Sequence, residues 1–403
     1  MSILNFKDLA NKYGTPLYVY DFNHFETQFE ALKSAFAGRK SLICYAVKAN
    51  SNLSVVKKFA SMNGGADCVS IGEVKRAFLA GVKKYKIVFS GVGKRDDEIK
   101  EAIELDILYI NCESDAELKR VESIAKSLNK VARISLRVNP NIDPKTHPYI
   151  STGLNENKFG IELNEARGLY LYANKSEHLE PIGIHFHIGS QLTELEPIKE
   201  AATIVGNLVR ELLAVKIELK FFDIGGGIGI KYDKEITIPL YDYAQAILAA
   251  MNGLDMTIVC EPGRFLVGNG GWFLTKALYE KKTGAKRFII VDGAMNDLIR
   301  PALYDAFHDI VVVEKENEPK TPVDVVGPVC ESGDFFAKDE NLPLTQSGDL
   351  LVVHSAGAYG FSMASNYNTR GRAAEIAVEN GVDRVIRKRE SFEDIIVNEK
   401  DYL

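Results

Sequence analysis

Lys48 stands at the end of the apolar run Leu42-Ile43-Cys44-Tyr45-Ala46-Val47, where that run would leave a β-sheet. A lysine in that place has two readings. One is a solvated ammonium, because lysines are rarely buried. The other is an amine partly withdrawn from water, with a lowered pKa, able to condense with a carbonyl group. Polar residues gather at the ends of other apolar runs: Asp67-Cys68-Val69-Ser70, Arg137-Val138-Asn139-Pro140, His185-Phe186-His187-Ile188-Gly189-Ser190, Asp223-Ile224-Gly225-Gly226-Gly227 and Glu261-Pro262-Gly263-Arg264. Polar groups at one end of nearly every run do not suit a plain structural reading.

Gly225-Gly226-Gly227 lacks the G-x-G-x-x-G spacing and follows the seventh run, not the first, which argues against a dinucleotide fold. Three glycines make either a tight turn or a loop that bares backbone N–H groups to a phosphate. Arg264, at the neighbouring run's end, favours the second. His185 and His187 are two apart and so share one face of a strand. Their readings are hydrogen-bonded core histidines, a metal pair, or an imidazole stacked on a cofactor ring. No further Asp, Glu or His at ligand spacing supports a metal. Glu261 is either a surface carboxylate or, directly after Val259-Cys260, a group that keeps a pyridine nitrogen protonated. A lysine for a carbonyl, a glycine–arginine phosphate cradle, a ring stacker and a carboxylate for a pyridinium are together what pyridoxal phosphate needs.

Eight short apolar runs, at 42–47, 66–70, 86–90, 107–111, 131–138, 182–188, 220–224 and 256–260, position these residues. Between most of them lie stretches of helical period, such as Leu53–Met62, Asp115–Leu128 and Glu196–Val215. That alternation predicts a parallel (β/α)8 barrel with its site at the strands' carboxyl ends and a phosphate grip after strands seven and eight. Beyond about Trp272, strand-like runs with few helices between them (288–291, 310–313, 323–326, 350–353 and 374–378) predict a mostly-β second domain. The expected division is 1–22 as an amino-terminal segment packing with the β domain, 23–268 as the barrel and 269–403 as the β domain.

The 403 residues exceed one ordinary core. A net charge of −6, with both signs interspersed, leaves no basic footprint for nucleic acid or an anionic membrane. No apolar run reaches the roughly 18 residues of a spanning helix, and Met1–Asp8 does not read as a signal peptide, so the cytoplasm is expected. The five cysteines are odd in number and form no Cys-x-x-Cys pair, which argues against a disulfide framework. Cys44, Cys68, Cys112 and Cys260 lie in or beside apolar runs, whereas Cys330 sits in the turn-rich Gly327–Asp334, where a thiol can be exposed.

In their order along the chain, Tyr45-Ala46-Val47-Lys48-Ala49-Asn50, His185–Ser190, Asp223–Gly227, Glu261–Arg264, Gly327-Pro328-Val329-Cys330-Glu331 and Gly357-Ala358-Tyr359-Gly360 resemble the barrel-type pyridoxal-phosphate decarboxylases. The resemblance runs from Gly14 to the carboxyl terminus. It implies a homodimer with active sites shared across the interface. Lys48 is expected to carry the cofactor covalently, and His187 to stack on its ring. Glu261 would meet the pyridine nitrogen, with Ser190, Gly225, Gly226, Gly227, Pro262, Gly263 and Arg264 around the phosphate. Tyr359 would stand at the cofactor and substrate edge. Cys330, from the partner subunit, matches the proton donor. Arg300-Pro301-Ala302-Leu303-Tyr304 matches the substrate segment, so Arg300 and Tyr304, with Arg264, would hold a far carboxylate and Glu331 a far amine. A diamine-forming member acting on ornithine or arginine needs no such carboxylate site, and a racemase leaves Cys330-Glu331 unexplained. The expected reaction is decarboxylation of meso-2,6-diaminopimelate to L-lysine and CO2. The alternatives are the ornithine or arginine type, or a non-catalytic homologue that still binds the cofactor.

Overall fold

The computed structural model describes residues 4–143, 158–284 and 286–403. Met1, Ser2 and Ile3, which open the amino-terminal stretch read above, lie outside them. Among the described residues no helix is long and apolar enough to cross a membrane. The chain divides into two compact units. One holds the residues up to Phe25, Lys231–Glu235 and Val267–Leu403; the other holds Glu26–Ile230 and Ile236–Leu266.

The first strand, β1 (Leu17–Asp21), belongs to the former unit. The second unit is a closed parallel barrel of β2 (Ser41–Ala46), β3 (Gly65–Cys68), β4 (Ile87–Phe89), β5 (Tyr109–Cys112), β6 (Ala132–Asn139), β8 (Leu179–His185), β9 (Phe221–Asp223) and β10 (Thr257–Cys260). The short β7 (Ile161–Glu162) adds to the end of β6, and closure comes from β10 pairing with β2. Nearly continuous burial of these strands, as in Cys44–Ala46 and Leu136–Asn139, is what a sheet covered on both faces demands. Loops leaving the strands start their helices with polar caps. The Asn52, Ser70 and Ser114 side chains accept from the N–H of Ser54, Glu73 and Glu117, satisfying donors the first helical turn leaves bare.

The other unit is a mostly antiparallel sheet ordered β15-β14-β12-β11-β1-β17-β18. Its strands are β11 (Gly271–Thr283), β12 (Lys286–Val291), β13 (Ile310–Val312), β14 (Thr321–Val326), β15 (Phe335–Leu342), β16 (Leu350–Val353), β17 (Ala374–Glu379) and β18 (Val382–Arg387); β16 joins β13 to β11. β1 lies inside this sheet, antiparallel to β11 and parallel to β17. The thirteen residues of β11 escape a sequence reading because one face meets solvent. Lys276, Tyr279 and the charged Glu280–Lys282 interrupt the apolar pattern.

Candidate active site

Lys48 lies in a 3-10 turn, Val47–Ala49, directly after β2. Its Nζ stands 2.7 Å from Asp67 Oδ2 at the end of the neighbouring β3. The Asp67 side chain is 1% exposed and that of Lys48 40%, so the pair joins a buried anion to a partly wet cation. Burial and the nearby Glu261 charge push the Asp67 pKa up, and Lys48 pulls against them. The turn is tied to the loop after β10, Ala46 N–H donating to the Pro262 carbonyl at 3.1 Å. An added methyl on Gly263 would lie 3.0 Å from the Ala49 Cβ, so this loop and the lysine turn touch closely.

The strand carrying the histidines stops at His185, which pairs with Asp223, the last residue of β9. Beyond it Gly225 turns away with φ +63°, its carbonyl accepting from the Glu261 N–H at 2.7 Å. His187 lies past the strand's end, so the two histidines do not share a strand face, contrary to what their spacing predicted. His185 is buried with Nε2 3.1 Å from Glu261 Oε2. His187 is half-buried in the loop, against Gly225, where an added methyl would come 2.9 Å from its Cβ. Enclosure first, then the cations Arg137 and Lys48, hold its imidazole well below the usual pKa and so neutral.

His185, Asp223 and Glu261 are buried and present side-chain atoms within 4.8 Å of one another. The sequence reading found no such cluster; it forms because β8, β9 and β10 are neighbours ending at one level. Asp223 accepts from Tyr109 Oη at 2.8 Å and from Gly225 N–H at 3.0 Å. His185 bonds Glu261, and Asp223 bonds Tyr109 and the Gly225 backbone, which ties the three groups into a buried hydrogen-bond network. Burial and the Glu261 charge push Asp223 well above the carboxylate range. Burial also raises Glu261, but His185 and Lys48 outweigh it and bring it to about 2. Glu261 is thus the ionised member. Its Oε1 is buried with no hydrogen-bond partner among the described residues, and a protonated pyridine nitrogen is a donor that would satisfy it.

The glycine loop passes close to neighbouring backbone. A methyl on Gly226 would stand 2.3 Å from the Glu261 carbonyl oxygen, and one on Gly227, at φ +108°, 2.4 Å from that of Gly189. Buried Arg264 donates from Nη2 to Ser190 Oγ at 3.0 Å. A guanidinium, a hydroxyl and a side-chain-free loop in one unit fit a phosphate group.

The remaining expected residues belong to the β unit. Cys330 is exposed, and its N–H donates to Asn368 Oδ1 at 3.5 Å. Glu331 accepts from Tyr367 Oη at 2.9 Å. Their turn hangs on Asp334, which takes the N–H groups of Met295 and Val329, each at 2.7 Å. Arg300 is buried at the start of the helix Arg300–Tyr304, with Tyr304 half-buried at its end. Tyr359 adopts φ +58°, in the left-handed region that favours glycine. Sequence reasoning missed the roles of Asp67, Asp223 and Tyr109. The first two stand at strand ends, the signal that picked out Lys48; Tyr109 opens its strand, and nothing local marks it.

Comparison with known proteins gives a consistent picture. Residues 22–268 match the pyridoxal-binding-domain model of the pyridoxal-dependent decarboxylases. The chain is 59% identical to diaminopimelate decarboxylase of Campylobacter jejuni, covering 99% of this chain and 100% of that one. It is 47% identical to the enzyme of that name from Aquifex aeolicus, over 98% and 93%. Among solved structures, diaminopimelate decarboxylase from Helicobacter pylori complexed with L-lysine superposes with a TM-score of 0.96 at 55% identity, covering 99% of this chain and 100% of that chain.

Proposed function

The chain belongs to the pyridoxal-dependent decarboxylases, and from that premise we propose that it converts meso-2,6-diaminopimelate to L-lysine and CO2, the last step of lysine biosynthesis. The observation that carries the substrate is identity along practically the whole chain to enzymes named for that reaction. Pyridoxal 5'-phosphate, when bound, supplies an electron-withdrawing ring that lets a Cα carboxylate leave as CO2.

The residues divide the remaining work. Lys48 is the amine through which the cofactor is attached, and Asp67 holds it at the strand end. Glu261, kept anionic by His185, raises the pKa of the ring nitrogen and keeps it protonated. Neutral His187 would stack on the ring without adding a competing charge. Ser190, Gly225, Gly226, Gly227, Pro262, Gly263 and Arg264 would hold the phosphate, and Tyr359 would stand at the cofactor and substrate edge. Arg300, Tyr304 and Arg264 bind the carboxylate that is retained, and Glu331 the amine beside it. In a homodimer the partner subunit's Cys330 delivers the proton that replaces CO2 at Cα. A cytoplasmic location belongs to the same proposal.

Release of CO2 from meso-diaminopimelate, measured beside ornithine, arginine and lysine, tests the reading. Turnover of meso-diaminopimelate is expected to dominate. Preference for ornithine or arginine would move the chain to the diamine-forming branch, and no release from any of them would leave a binding protein.

A further inference from the structure

Arg300 is held from two sides within the β unit. Its Nη1 stands 2.8 Å from His308 Nε2, and its Cζ lies 4.7 Å from the centroid of the Tyr232 ring. His308, 1% exposed, has its other nitrogen, Nδ1, 2.8 Å from the His354 carbonyl oxygen. A carbonyl only accepts and a guanidinium only donates. His308 therefore carries its proton on Nδ1, keeps the lone pair of Nε2 for Arg300, and is neutral. The Tyr232 ring meets His308 edge-on, at 5.6 Å and 85°.

Tyr232 comes from Lys231–Glu235, five residues that leave the barrel's stretch of sequence to join this unit. Glu235 Oε2 accepts the N–H of Tyr232 at 3.0 Å and of Asp233 at 2.7 Å. Asn269 Nδ2 donates to the Lys231 carbonyl at 2.9 Å and to Ser355 Oγ at 2.8 Å. The excursion is thus closed on itself by Glu235 and anchored at Lys231 by Asn269, and it brings an aromatic face to a buried cation.

We propose that His308 and Tyr232 are positioning residues that fix one edge and one face of the Arg300 guanidinium, so that it meets the retained carboxylate of the substrate in a single orientation. The proposal rests on the reading that Arg300 binds that carboxylate. It assigns selectivity for a carboxylate-bearing ligand to two residues outside the segment Arg300–Tyr304.

The test uses the holoenzyme and two inhibitors of the same chain length: L-lysine, which keeps the carboxylate, and pentane-1,5-diamine, which lacks it. His308→Leu should raise the inhibition constant of L-lysine about tenfold, the cost of misplacing one charge-assisted hydrogen bond. The diamine constant and the cofactor absorbance should stay unchanged. His308→Gln, which accepts at one atom and donates at another, should recover most of the loss. Should His308→Leu not fold, Tyr232→Leu decides, with an expected loss of about threefold confined to L-lysine. Equal shifts for both inhibitors, or none, overturn the positioning role if Arg300→Met still weakens L-lysine alone. If Arg300→Met fails to separate the two inhibitors, the carboxylate reading falls and this proposal with it.

Discussion

Lys48 balances a carboxylate that water barely reaches, so its removal does more than delete an amine. Lys48→Ala leaves Asp67 buried beside Glu261, the charge that already pushes its pKa up. Turnover should fall by on the order of a thousandfold or more, since positioned proton transfer alone is worth about 10²–10⁴. Borohydride should fix the cofactor to Lys48 in the native chain and to no residue of the variant, as read by peptide mapping; an adduct on another lysine would refute the assignment. A second residue governs stability. Asp297 is buried, and burial, only partly offset by the Ala294 N–H, raises its pKa to about 7. The folded chain therefore binds more protons than the unfolded one between about pH 4 and 7. Stability from this group is full below that window and is lost as pH rises through it, by at most about 1.4 kcal/mol per pH unit. Melting temperatures from pH 5 to 8 should fall less steeply for Asp297→Asn than for the native chain; parallel curves would refute this. Such residues differ in how far a sequence displays them. Lys48 and Glu261 could be read because each ends an apolar run. Tyr109 could not, since its meaning lies in Asp223, 114 residues away.

At the scale of elements, all eight barrel runs are strands, with ends that differ from the predicted ones by at most three residues. A strand buried on both faces advertises itself by unbroken apolar character. The sheet of the other unit was half legible: β12, β13, β14, β16 and β17 coincide with predicted runs, whereas β11, β15 and β18 do not. Charged residues interrupt β15 and β18, as in Lys338–Glu340 and Asp383-Arg384, and only their partners make them strands. The glycine loop after β9 is the element most sensitive to substitution. In Gly226→Ala the new methyl would press on the Glu261 carbonyl, displacing the backbone that aims the ionised carboxylate. Overpacking of this kind costs about 1–3 kcal/mol. The variant should melt several degrees lower and release the cofactor more readily on dialysis. Gly168→Ala, in the helix Leu163–Lys175 where the added methyl meets nothing within 4 Å, is the control and should do neither. If both variants behave alike, the loop is not tightly seated.

For the whole molecule, the proposed sharing of sites between subunits has an arithmetical consequence. Lys48→Ala and Cys330→Ala homodimers would each carry two defective sites. Hybrids formed by subunit exchange would gather both changes in one site and leave the other intact. Random equal mixing makes about half the dimers hybrids, so activity should return to roughly a quarter of the native level. Hybrids seen by native mass spectrometry without recovery would place Cys330 in its own chain's site or outside catalysis. The position of β1 bears on how such a subunit is made. Leu17, Tyr18, Val19 and Tyr20 are fully buried between β11 and β17, strands that begin at Gly271 and Ala374. Synthesis at about 5–20 residues per second therefore leaves this apolar strand outside the ribosome for roughly ten to fifty seconds before its first neighbour exists. The barrel's last strand, ending at Cys260, is made before that neighbour. The nascent chain therefore holds Leu17–Asp21 without either of its native neighbours throughout that interval.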